Sequence, residues 1–71
     1  MADRDVEERI EARLERARQT LAMMELLREQ PSHENIAAFH ELHARHLREL
    51  GEDERADRAD GRARAVRDAA S

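Results

Sequence analysis

A chain of 71 residues without cysteine has room for one small domain and no means of bracing it with a disulfide or a thiolate metal site. Charged residues make up 42% of it, yet 17 acids against 13 bases leave a net charge of only −4, a balance that suits helix surfaces better than a nucleic-acid footprint. No uninterrupted apolar run approaches the ~20 residues of a membrane span, and the charged opening MADRDVEERIEARLER lacks the apolar core of a secretory signal, so the expectation is a cytoplasmic chain with neither a membrane nor a nucleic acid as partner.

Val6, Ile10, Leu14, Ala17, Leu21 and Met24 recur at intervals of 4, 4, 3, 4 and 3, which is one face of a helix. Arg28 interrupts the stripe and Gln30-Pro31-Ser32 stops it, predicting a first helix over about residues 3–29. Arg9, Arg13 and Arg16 flank the stripe on one side and Glu7, Glu11 and Glu15 on the other, a pattern able to set register between antiparallel helices. Near its end LAMMELL places Met23, Leu26 and Leu27 on the sides and back of the stripe, which implies burial on more than one side.

Ser32 is a good N-cap, Glu34 suits the first turn and Gly51 suits the position just past a helix end, predicting a second helix over about residues 33–50. Its stripe is Ile36, Phe39, His43, Leu47 and Leu50, with His43 at the centre and His40 and His46 about 60° to either side. Three histidines fanned across one helix cannot converge on a single ion. An adjacent pair could bind one only with ligands from elsewhere, and neither the HExxH pattern nor an ExxH pair is present. His43 is therefore expected as a neutral interface residue, with two alternatives: a seam that protonation loosens in mild acid, and a metal site drawing on His40, His43 and His46.

The last segment, GEDERADRADGRARAVRDAAS, keeps one branched apolar residue, Val66. Ala56, Ala59, Ala63, Val66 and Ala70 repeat at helical spacing, and Glu54–Arg58 and Asp60–Arg64 have i, i+4 pairing geometry. Gly61 opposes the helix by about 1 kcal/mol. The expectation is a weak third helix ordered by packing, or else a disordered tail.

The predicted architecture is all-α, with a helical hairpin over residues 1–50 and an alanine- and arginine-rich tail over residues 51–71. A lone hairpin leaves too much apolar surface in water, which points to a homo-oligomer, a dimer first, in a helical bundle. The overhanging first turns of helix 1 would be covered by the returning tail or by the partner. Candidate interface residues are Ile10, Leu14, Leu21, Met24 and Leu27 on helix 1 and Ile36, Phe39, His43, Leu47 and Leu50 on helix 2. With no Cys, Lys, Tyr or Trp, one Thr, and serines only at a cap and at position 71, nothing resembles an activated nucleophile or a phosphate loop. The reading is a small non-enzymatic interaction protein without a cofactor: an adaptor, an antitoxin-like partner or an assembly subunit with a possible second protein partner. The alternative is the histidine metal module.

Overall fold

The structure, a computed structural model, describes residues 2–71. They form three helices and no strand: α1 over Ala2–Glu29, α2 over His33–Glu49 and α3 over Asp53–Ala70. The punctuation works as its chemistry dictates. Ser32 holds an extended backbone, and its Oγ accepts the Asn35 amide at 3.0 Å. The Asn35 side chain ties back to the Gln30 carbonyl at 2.7 Å, so the turn and the cap brace one another. At the other end of α2, Gly51 takes φ = +79°, a left-handed conformation that costs glycine little. Its amide reaches the Arg48 carbonyl, and the Glu52 amide reaches the Leu47 carbonyl at 2.8 Å. This crossed pair of bonds satisfies the last carbonyls of α2 and turns the chain straight into α3.

The three helices do not close on a common core. α2 lies between the other two, and α1 and α3 make no contact with each other among the described residues. The Cα atoms span 51 × 28 × 9 Å, so the molecule is a layer one helix thick. The two seams differ in kind. Between α2 and α3, Ala37 and Ala44 meet Ala56, Ala59 and Ala63, all buried, with Leu47 beside them. Side chains this short let two helices approach closely. Between α1 and α2 the contacts are sparser, and in place of a buried alanine line the helices are joined by Gln19 to His46 and Arg45 and by Arg16 to Glu49.

The expected tail is thus a regular 18-residue helix, and it supplies the main packing partner of α2. The predicted alanine line is the one used, with Val66 half-buried and Ala70 exposed. The charge pairing differs, because Asp60 is drawn across the seam to Arg48, which also meets Asp57 at 3.1 Å. Toward the far end of the seam, Arg67 spans to Glu34 at 2.8 Å and Glu41 at 2.6 Å. α3 does not return over the first turns of α1, so the overhang of this ~42 Å helix is left uncovered by its own chain.

Candidate interaction face

The α1 stripe is regular and unsatisfied. Val6, Ile10, Leu14, Leu21 and Met24 are each 50–61% exposed, because α1 turns a different side to α2. That side carries Arg16, Gln19, Thr20, Met23 and Leu27, all half-buried. Arg16 lies 3.7 Å from Glu49, and Gln19 reaches His46 and Arg45. Of the residues named on α1, Leu27 belongs to the intramolecular seam, while Ile10, Leu14, Leu21 and Met24 remain in water.

On α2 the packed line is rotated from the one the large apolar residues suggest. Leu47 is buried and Phe39 half-buried, but Ile36 and Leu50 are exposed, Leu50 at 56%. His43, expected at the centre of a seam, is exposed. The exposure of His43 has a simple cause. Ala44 follows His43 by one residue, about 100° round the helix, and α3 packs onto the alanines because they permit the closest approach. His43 is left at the rim, above Leu47 and facing Arg55, Arg58 and Arg62 of α3.

The buried histidine is His46, at 8% exposure. Its Nε2 lies 2.9 Å from Gln19 Oε1, so the neutral ring donates from Nε2 to the amide oxygen. Burial lowers its pKa from the ordinary 6.5, assisted by Arg45, Arg16 and His43 and opposed by Glu49. A weaker stripe, Phe39, Leu42, His46 and Glu49 at intervals of 3, 4 and 3, held the signal for this α1-facing side. It was masked by the more hydrophobic stripe beside it.

Among the described residues no three His, Asp or Glu side chains come together as a metal-binding group. His46 is engaged by Gln19, His43 looks toward α3, and His40 stands edge-on to Phe39 with ring centroids 6.1 Å apart. None of the described helices is long and apolar enough to cross a membrane.

Val6, Ile10, Leu21, Met24 and Leu50 lie along one broad face of the layer, while Leu26, also exposed, sits about 160° round α1 from Ile10. Leu50 lies beside Val6 and Ile10 in a shallow groove edged by Arg9 and Arg13, and Leu21 and Met24 continue it between Arg18 and Arg28. The cross-helix ion pairs of Glu34, Glu41, Glu49, Asp57 and Asp60 serve to hold neighbouring helices together. The layer can therefore offer an apolar surface with charged margins, built chiefly on α1. Comparison with models of protein families, with characterised proteins and with solved structures finds no match to this chain.

Proposed function

We propose that this chain is a small non-enzymatic interaction protein that self-associates through the apolar face of α1. Roles as an adaptor, an antitoxin-like partner or an assembly subunit all use such a face. The observation that carries the proposal is the stripe Val6, Ile10, Leu14, Leu21 and Met24, at least half exposed over five turns and continuous with Leu50. Contiguous apolar surface of this kind marks interaction sites in soluble proteins. Among the described residues α1 has only one neighbour within its own chain, α2, and no large side chain is fully buried. A second copy supplies the missing layer, and a two-fold pairing of identical stripes is self-complementary in hydrophobicity.

Sedimentation equilibrium of the full chain at tens of micromolar is expected to give a dimer. Leu21→Asp should reduce it to a monomer while leaving helix content unchanged, because Leu21 is 61% exposed within its own chain and the charge is buried only on association. Arg64→Ala, on the exposed surface of α3, should assemble like the parent chain. Mass should be the same with a chelator, since no histidine lies on the α1 stripe. A folded monomer, or a Leu21→Asp variant that assembles normally, would overturn the proposal.

A further inference from the structure

The orientation of α1 makes its outer edge a second source of information. With Ile10, Ala17 and Met24 alternating with Leu14 and Leu21 along the stripe, the flank away from α2 carries Arg4, Glu11, Arg18 and Glu25. These residues are seven apart, all exposed, and they alternate in sign. The opposite flank is committed elsewhere, through Thr20 and Leu27 against α2 and the Arg16–Glu49 pair. The outer edge has one local contact among the described residues, Arg18 to Glu15 at 3.7 Å, between two well-exposed side chains.

Building on the self-association proposed above, we infer that α1 pairs antiparallel with α1 of a second copy, in a register fixed by this alternating edge. Antiparallel helices bring like flanks together, outer edge to outer edge. When Leu14 stands across from Ala17 of the second copy, and Ile10 across from its Leu21, Glu11 meets Arg18 and Arg4 meets Glu25. Two-fold symmetry repeats both, giving four opposite-charge pairs. The neighbouring antiparallel registers fail on charge: one sets Arg18 against Arg18 and Glu11 against Glu25, the other sets Glu11 against Glu11 and Arg4 against Arg18. A parallel pair fails too, because the outer edge would then face the inner flank, with Arg18 near Arg13 and Glu11 and Glu25 near Val6 and Thr20. Of these arrangements, only the first gives the edge a fully paired set of charges.

The test is a charge swap read by sedimentation equilibrium. Glu11→Arg alone and Arg18→Glu alone each turn two symmetric attractions into repulsions and should weaken the dimer about tenfold or more. The double variant Glu11→Arg with Arg18→Glu restores every pair and should return to within about threefold of the parent, a small change on the scale of such surface pairs. Glu11 sits among Glu7, Glu8 and Glu15 of its own helix, so arginine there favours α1 as a helix, and a loss of dimer in Glu11→Arg, the deciding single change, cannot be traced to a loss of helix. Arg18→Glu also gives up the local Arg18–Glu15 pair. A parent dimer that ignores both single changes, or a double variant as weak as the singles, overturns the antiparallel register and leaves self-association standing. A monomeric parent chain removes the self-association reading itself.

Discussion

The two histidines one helical turn apart show how little separates a surface residue from a structural one. His43 and His46 have similar local sequence, but His46 faces α1 and is buried against Gln19 at 2.9 Å. Its pKa is lowered, first by burial, so between 6.5 and its folded value the unfolded chain takes up a proton that the folded chain refuses. Stability from this group is therefore present above 6.5 and is lost as the pH falls through that value. His46→Leu should flatten the pH dependence of the urea midpoint between about pH 5 and 7, the range in which an ordinary imidazole titrates. A slope that survives the substitution would place its origin in another group. Glu34 and Glu41 act with the same sign in more acidic solution. The hydrogen bonds from Arg67 lower both carboxyl pKa values below the ordinary 4.5, so their contribution is present above that value and declines as acid protonates them.

At the scale of the elements, the α2–α3 seam is the part whose geometry is most tightly determined. Ala44, Ala56 and Ala59 are at most 1% exposed, so a larger side chain has no room unless the helices separate. Ala59→Leu should cost about 1–3 kcal/mol by overpacking, and thermal unfolding would measure it. Two positions further on, Gly61 tests the opposite case, since a Cβ placed there meets nothing within 4 Å. Gly61→Ala should stabilise the chain by about 1 kcal/mol, the difference in helix propensity. If both changes proved neutral, α3 would not be packed as the alanine spacing implies. Helix limits and the alanine line of α3 were legible in the sequence because caps, Pro31, Gly51 and a 3,4 repeat are local signals. The side of α2 that packs was not legible. Periodicity weighs residues by hydrophobicity, whereas the choice between Ala44 and His43 was made by how close a neighbouring helix can come. The α1-facing side of α2 left only a faint signal, since its stripe, Phe39, Leu42, His46 and Glu49, is less hydrophobic than the one beside it and its partners Gln19 and Arg16 add nothing to an apolar repeat.

For the whole molecule, the hairpin expected over residues 1–50 is the looser of the two helix pairs. Deleting residues 52–71 would expose Ala37, Ala44 and Leu47, so α2 should lose helix along with the deleted segment. A chain starting at residue 30 keeps the closer seam and should retain more helix per residue than one ending at residue 51, as circular dichroism can check. Equal helicity in the two fragments would mean that the alanine seam contributes no more than the polar one. The candidate face was only half visible in the sequence. The stripe on α1 could be read directly, but its exposure depends on α3 packing on the far side of α2, a matter of topology that no periodicity records. That same topology bears on how the chain folds. Among the described residues each helix touches only helices adjacent to it in sequence, so forming either pair closes a short turn, Gln30–Ser32 or Leu50–Glu52, and neither must wait for the other. A chain with such local contacts belongs among the fast folders, on the microsecond to millisecond scale. α2 and α3 should collapse together first, with α1 docking last and opening most often.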